Sequence, residues 1–433
     1  MPEARGASLT AVDLFCGAGG LSEGLRQAGI RVLAGNDHDP DACATYAENF
    51  PDAEVFCGDI REPELHERVV TAAASADILV GGPPCQAFSQ VRNHTRIIDD
   101  PRNSLYREFV RTVAAAKPSA FLMENVPGMA QMGVKEQVVT DLSLDGEYEV
   151  RAQLVDAVDF GVPQTRKRLL FFGVRSGMGA QLPEVVGTDV TSCIQLDRIA
   201  PGHYEIGVRE TPHAEERALE LADPHRLGVV SVLQAIGDLA PLEAGRRNEV
   251  IDPRELPAPS TAYQMLMRDG LGDELWNVSV PRIRADTVLR LGGIPAGGNH
   301  RDLSEGLRAR YLTGEKWGPS NGTGVLGRAH FYAYRRLHPD IWAWTLNTKG
   351  DSVYHYSESR CLTVREFARL QSFPDRFVFT TDSRRGAIPG RIDGGAAHSR
   401  YRQAGNAVPP LLAAEAATVI RRSLEAAEQR KAS

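Results

Sequence analysis

Asp77-Ile78-Leu79-Val80-Gly81-Gly82-Pro83-Pro84-Cys85-Gln86-Ala87-Phe88-Ser89 is the stretch around which the chain is organised. Its apolar start reads as a short buried strand. Two glycines and two prolines then stop regular structure and hold the backbone in a rigid, exposed turn. A thiol, Cys85, ends that turn, where it is placed to act as a nucleophile. Ligands of open α/β sheets collect in the crevice beyond the carboxyl ends of the strands, and this turn belongs there. A free cysteine is as often a small buried apolar residue, so the turn by itself leaves both readings open.

Outward from this stretch, the first 175 residues alternate short apolar runs with helical patterns. Candidate strands are Leu9 to Phe15, Val32 to Gly35, Ile78 to Gly81, Ala120 to Met123 and Leu169 to Val174. Helices are expected near 21–28, 40–49, 62–73, 103–116 and 134–143. Asp39-Pro40, Glu62-Pro63 and Asp100-Pro101 put proline at helix starts, where its missing N–H costs nothing. Such alternation predicts an α/β fold, a mostly parallel sheet with helices on both faces. Residues 185–350 are richer in Gly, Pro, Arg and single aromatics and predict a second, irregular domain. Helical order returns at Leu362 to Leu370 and in a C-terminal helix from about Leu411 to Ala427, expected to pack back on the first domain.

At 433 residues the chain can bury a large core, and 24% charged with 42% hydrophobic residues is ordinary for a soluble globular protein. No apolar run reaches membrane-spanning length and the first residues carry no signal-peptide core, so a cytoplasmic protein is expected. Six widely spaced cysteines without a CxxC pair argue against zinc or a disulfide framework and fit a reducing compartment. The net charge of −7 speaks weakly against a nucleic-acid partner, but charge is unevenly spread. Residues 36–67 hold ten acids and one base, Arg61, whereas 301–336 hold seven Lys or Arg and three acids. An acidic protein can still offer a basic groove to phosphates.

Three further constellations carry chemistry. Asp13-Leu14-Phe15-Cys16-Gly17-Ala18-Gly19-Gly20 is a strand running into a glycine turn, which lets a ligand approach the backbone. It is not the dinucleotide fingerprint, because Ser22 stands where GxGxxG needs glycine. Asn36-Asp37 and Gly58-Asp59-Ile60 end the next two strands, where carboxylates can accept bonds from ribose hydroxyls or an exocyclic amine. Glu124, in Met123-Glu124-Asn125-Val126-Pro127, is a strand-end carboxylate that burial could keep protonated for donation to a ring nitrogen. Gln164-Thr165-Arg166-Lys167-Arg168 sets Arg166 and Arg168 on one face of a strand start, suited to phosphate or carbonyl oxygens. Capping, edge protection and plain strand–helix connections compete with each of these readings.

Together, DLFCGAGG (13–20), GGPPCQAFS (81–89), ENVPGM (124–129), QTRKRLLFFGV (164–174), LTVREFARLQSFPD (362–375) and QAGNAVPP (403–410) resemble the ordered motifs of the DNA (cytosine-5)-methyltransferases. Order, spacing and the variable block before LTVRE all match, over about residues 9–415. The resemblance implies a Rossmann-like S-adenosylmethionine-dependent methyltransferase fold with a smaller, irregular target-recognition domain. It implies residues 1–184 as catalytic and cofactor-binding domain, 185–355 for recognition, 356–395 as connection, and 396–433 returning to the catalytic domain.

It further implies that Cys85 adds to carbon 6 of a flipped-out cytosine, that Glu124 bonds ring nitrogen 3, that Arg168 touches the base carbonyl and that Arg166 supports the site. S-adenosyl-L-methionine would be held by Phe15, Gly17, Gly19, Asp37, Asp59, Ile60, Leu105, Asn406 and Ala407. The family often has Glu where Asp37 stands, a change that bears on the ribose contact. No metal is implied. The loop from Gln90 to Asp100, with Arg92, Asn93, His94 and Arg96, would close over the base. His330 to Arg336 reads equally as base and phosphate readers or as core aromatics. Expected partners are double-stranded DNA and a restriction endonuclease acting on the same site, with no membrane and a monomeric chain. The rivals are an RNA cytosine-5 methyltransferase on the same scaffold and a non-catalytic DNA-binding relative. A nicotinamide oxidoreductase is opposed by Ser22 and the Pro-Pro-Cys turn.

Overall fold

The computed structural model describes residues 8–84, 104–131, 134–192, 194–208, 229–239, 242, 246–307, 334–382 and 395–432. Seven strands form one sheet: β1 (Thr10–Leu14), β2 (Arg31–Asp37), β3 (Glu54–Cys57), β4 (Ile78–Gly81), β5 (Ala120–Asn125), β6 (Tyr148–Asp156) and β7 (Lys167–Arg175), in the order β3-β2-β1-β4-β5-β7-β6. All pair in parallel except β7, which runs against β5 and β6. The order reverses at β1, which lies between β2 and β4, and this switch point is where a sheet of this kind opens a crevice.

The apolar runs fill both faces because side chains alternate along a strand. Val12, Leu79, Phe121, Met123, Leu169 and Phe171 face one way. There they meet α3 (Pro63–Ala74), α4 (Ser104–Ala116) and α5 (Lys135–Ser143), through Val69, Phe109, Val113, Val138 and Leu142. Ala11, Ile78, Val80, Ala120, Leu122, Leu170 and Phe172 face the other way. They pack under α1 (Gly20–Gln27) and the C-terminal helix (Pro410–Ala432), through Leu21, Leu25, Leu412, Ala416 and Ile420. The return of the C-terminal helix to the sheet follows the sequence expectation. Proline starts α2 (Pro40–Asn49) and α3, as predicted, and Asp39 caps α2 through the Asp41 amide.

Two strands, β3 and β6, are absent from the candidate runs, although Gly58 is read as following a strand end. β6 lay in no predicted run, because Tyr148 to Asp156 interleaves apolar residues with Glu149, Arg151 and Gln153 and is only half-buried at the sheet edge. Because β6 forms that edge, β7 is interior, and the reading of Arg166 and Arg168 as edge protection falls.

Between residues 185 and 355 the described parts are irregular: the hairpin β8 (Ile194–Ala200) and β9 (His203–Val208), a two-stranded ribbon β10 (Val250–Ile251) and β11 (Leu275–Trp276), and short helices including α6 (Val232–Ile236), α7 (Ala262–Arg268) and α8 (Ala285–Gly292). The stretch expected to connect the domains carries α9 (Val364–Leu370), whose Phe367 and Leu370 are buried. One apolar cluster joins them to Val232, Ile236 and Tyr263 on one side and to Tyr46 of α2 and the following Phe50 on the other. Tyr334 stacks on Tyr354, and Arg336 is buried with its guanidinium donating to the Leu291, Ile294, His355 and Tyr356 carbonyls. For these two residues the core reading is correct, since the guanidinium is spent on backbone oxygens. The remaining His330 to Ala333, together with Arg308, Arg310, Lys316 and Arg328, lies outside the described residues.

Candidate active site at the carboxyl edge of the sheet

A cavity of about 440 Å³ opens at the carboxyl ends of β1, β2, β4 and β5. Its walls include Phe15, Gly17, Asp37, Glu124, Arg166, Arg168, Asn406 and Ala407, together with the Gly82-Pro83-Pro84 turn. Both ends of the chain and its middle therefore meet in one place. Cys85 follows Pro84 directly in sequence and lies outside the described residues, as does the 90–100 loop.

The turn after β1 is built for close approach. Phe15, Gly17 and Gly19 all have positive φ, at 55°, 53° and 101°. A Cβ on Gly19 would stand 2.5 Å from the Phe50 ring, so only glycine fits between the turn and α2. Asp37 ties the turn down: its Oδ2 accepts from the Gly17 amide at 2.9 Å and its Oδ1 from the Asp39 amide at 2.8 Å. That carboxylate, bonded to His38, also holds the imidazole above its ordinary pKa. Beneath the turn Asp13 is fully buried, its Oδ2 bonded by Ser22 Oγ at 2.7 Å and its Oδ1 without a partner. Burial outweighs the Ser22 bond and raises the Asp13 carboxyl to about 7. Ser22 thus spends its hydroxyl on Asp13 and on Tyr46, whose phenol is 2.7 Å away.

Glu124 and Arg168 form an ion pair on the cavity wall. The Arg168 Nε–H is not aligned on the carboxylate as a hydrogen bond, although Nη1 donates to the Lys167 carbonyl at 2.7 Å. A guanidinium thus stands against the strand-end carboxylate. Gly82 lies close to the pair, since a Cβ there would stand 3.2 Å from Glu124 Oε2. Arg166 is buried and donates to the Leu346 carbonyl at 3.1 Å and the Gly405 carbonyl at 2.7 Å. Burial first, then the charge of Arg168, hold its guanidinium well below its ordinary pKa. Arg166 thereby fixes the backbone that presents exposed Asn406 and half-buried Ala407.

The other residues expected at the cofactor site lie off these walls. Ile60 is buried in the core beneath α3, and half-buried Leu105 packs on the same cluster. Asp59 takes the Arg61 guanidinium, with Nη2 at 2.5 Å, and that bond draws its carboxyl down to about 2. Gly19 shapes the turn without lining the cavity. Sequence reasoning missed Asn125, which donates to the Pro83 carbonyl at 3.1 Å and so buttresses the turn leading to Cys85. It also missed His38, Asp39 and Arg402 on the cavity wall, where Arg402 bridges to Asp39 at 2.6 Å. Their places beside Asp37 and beside QAGN were the available signal. Cys16, given no role, lines the cavity too. Among the described residues no cluster suits a metal ion, and no helix is long and apolar enough to cross a membrane.

The chain is similar to known proteins. The family model described as C-5 cytosine-specific DNA methylase matches residues 9–217 and 313–422. The Type II methyltransferase M1.HphI of Haemophilus parahaemolyticus is 31% identical over 412 residues, covering 94% of this chain and 85% of that protein. M.AgeI, a Type II methyltransferase of Thalassovita gelatinovora, is 32% identical over 458 residues, 95% of this chain and 98% of its own. The fold is also similar to a prophage-encoded Escherichia coli chain presented as a DNA modification methyltransferase, with a TM-score of 0.65 at 23% identity, covering 96% of this chain and all of that one. Since the matched segments hold both the glycine turn and the Asn406 segment that close one cavity, the chain belongs to the C-5 cytosine-specific DNA methylase family.

Proposed function

We propose that this methyltransferase moves a methyl group from S-adenosyl-L-methionine to carbon 5 of a cytosine flipped out of a specific duplex sequence, through a covalent adduct at Cys85. The observation that carries the reading is the single cavity walled by the Glu124–Arg168 pair, Asp37, Asn406 and the turn leading into Cys85. The donor set suits the cofactor. Gly17 offers bare backbone, Asp37 is anchored with its carboxylate at the wall, and Asn406 faces it from the C-terminal segment. When bound, the cofactor supplies an electrophilic methyl group on a sulfonium.

Carbon 5 of cytosine is a poor nucleophile. Addition of the Cys85 sulfur at carbon 6 makes the ring an enamine whose carbon 5 can attack. With a proton on its carboxyl, Glu124 donates a hydrogen bond to nitrogen 3 and stabilises the charge that builds in the ring, while Arg168 meets the base carbonyl. Both groups stand on the wall of the cavity that would take the base. A base or water then takes the carbon 5 proton, whose electron pair re-forms the carbon 5–carbon 6 double bond and expels the Cys85 thiolate. Carbons 5 and 6 are covered within the stack, so the base must leave the helix first.

Residues 1–184 and 396–433 form the catalytic domain in this reading, 185–355 read the target on double-stranded DNA, and 356–395 join the two. A restriction endonuclease of the same specificity is the natural counterpart of such an enzyme. Bisulfite sequencing of DNA from a methylation-free host expressing the chain tests the reading, which expects protected cytosines at one recurring sequence. Complete conversion of every cytosine, with the protein folded and present, overturns it.

A further inference from the structure

Two thiols that the reaction does not use lie beside the strand end bearing Asp37. β3 pairs in parallel with β2 and sets Cys57 opposite Asp37. Val55 packs against the cluster that holds Tyr46 of α2 and the following Phe50, whereas Phe56 packs on the opposite face. By the alternation of strand side chains, Cys57 points to the side that α2 covers. Cys43 stands on α2, three residues before Tyr46, with its thiol 3.2 Å from the Asp37 carbonyl. The Cys57 thiol is its side-chain neighbour. Cys43 is buried and Cys57 is exposed. Burial, then the neighbouring thiol, push the Cys43 thiol well up, so it stays a hydrogen-bond donor and the exposed thiol is the one open to attack.

We infer that Cys43 and Cys57 form a dithiol modification site that hydroperoxides close to a disulfide, at the expense of the cofactor pocket beside it. Cys57 attacks the outer oxygen of the peroxide, the O–O bond breaks, and a sulfenic acid forms while the other oxygen leaves as water or alcohol. Cys43 then attacks the sulfenic sulfur, the S–S bond forms, and the hydroxyl departs as water with the Cys43 proton. Two thiols thereby give two electrons and two protons to one peroxide. The disulfide has no S–H, so the Asp37 carbonyl loses that donor and retains the Gly58 amide at 2.9 Å. The same residue anchors the Gly17 amide, and closure therefore reaches the turn that meets the cofactor, a consequence that rests on the function proposed above.

The test treats the reduced full-length protein with hydrogen peroxide. It then maps peptides without reductant and measures S-adenosylmethionine binding by calorimetry without DNA, a readout that does not involve Cys85 chemistry. The expected result is a Cys43–Cys57 cross-link and a cofactor affinity about tenfold weaker, the scale of one lost hydrogen bond. Dithiothreitol restores the affinity, and Cys57→Ser keeps it through the same treatment. Phenylarsine oxide checks reach without oxidation, bridging both thiols in the wild type and not in Cys43→Ser. Cys57 oxidised to sulfinic or sulfonic acid with no link to Cys43 overturns the inference. So does a linked protein that binds cofactor unchanged, or a Cys57→Ser protein that loses affinity equally. A reduced protein that binds no cofactor counts against the proposed function instead, while the mapping still decides the thiol pair.

Discussion

At the carboxyl edge of the sheet, Glu124 and Arg168 hold opposite charges on an open cavity wall, whereas on α9 Arg365 and Arg369 are 0% exposed and completely enclosed. Arg369 reaches Asp375 through two nitrogens at 2.7 and 2.6 Å and Asp238 through two at 2.9 and 3.2 Å. Arg365 donates to the Trp276, Pro374 and Phe377 carbonyls, and nearby Arg360 takes both oxygens of Glu366. Every guanidinium nitrogen of Arg365 and Arg369 has a hydrogen-bond acceptor, whereas Arg168 Nε meets Glu124 as an ion pair without hydrogen-bond alignment. The difference is one of use. A saturated buried cation costs desolvation and returns a fixed junction, here between α6, β11 and α9, while a pair on a cavity wall stays within reach of what enters the cavity.

Arg369→Leu should break the junction most severely. It leaves Asp238 and Asp375 buried without their main cation and should cost about 3–5 kcal/mol of unfolding free energy, read from urea titration. Transfer per folded molecule should stay near wild type, and a rate collapse at unchanged stability would erase the distinction drawn here. Glu124→Gln should behave in the opposite way. Methyl transfer should slow by about a hundredfold or more, as for other positioned acid–base groups, with the urea midpoint unmoved. Turnover near wild type would make Glu124 a structural residue like those on α9.

Much of this contrast was hidden in the sequence. The runs at β4, β5 and β7 were legible because buried central strands carry continuous apolar stretches. The glycine turn, the Pro-Pro turn and the strand-end carboxylates were legible as local chemistry. The charges of α9 were not: LTVREFARLQSFPD reads as an ordinary amphipathic helix, and nothing local says that Arg369 meets Asp238 far back in the chain. Nor does local pattern pair Glu124 with Arg168, or bring Arg166 to the Gly405 carbonyl. Such partners are set by how β7 inserts between β5 and β6, which is a property of topology rather than of spacing.

The cavity side of the comparison is sharpened by two carboxylates. Asp37→Ala should weaken cofactor binding in the absence of DNA by about tenfold, through loss of the bond to Gly17 and of the wall itself. Asp59→Ala should weaken it less, because that carboxylate is off the wall and engaged by Arg61. The reverse order would shift the cofactor toward β3.

The smallest effect concerns the buried carboxyl beneath the turn. Asp13 is faced by Ser22, Tyr46, Cys16 and Asp37, and burial lifts it from its ordinary 3.8 to about 7. Between those values the folded protein holds a proton that the unfolded chain has released, so stability should fall as pH rises through this window and level off above it. Asp13→Asn should flatten that slope in urea midpoints measured across it. An unchanged slope would place the titration elsewhere.

The covalent step is the central claim, and 5-fluorocytosine tests it most directly. Duplex DNA carrying that base at the methylated position should, with S-adenosylmethionine, trap the protein in a denaturant-stable complex, because fluorine cannot leave as the carbon 5 proton does. Peptide mapping should place the link at Cys85, and Cys85→Ser should form no complex while still binding cofactor. A protein that methylates unmodified DNA yet gives no adduct with the fluorinated duplex would contradict the account.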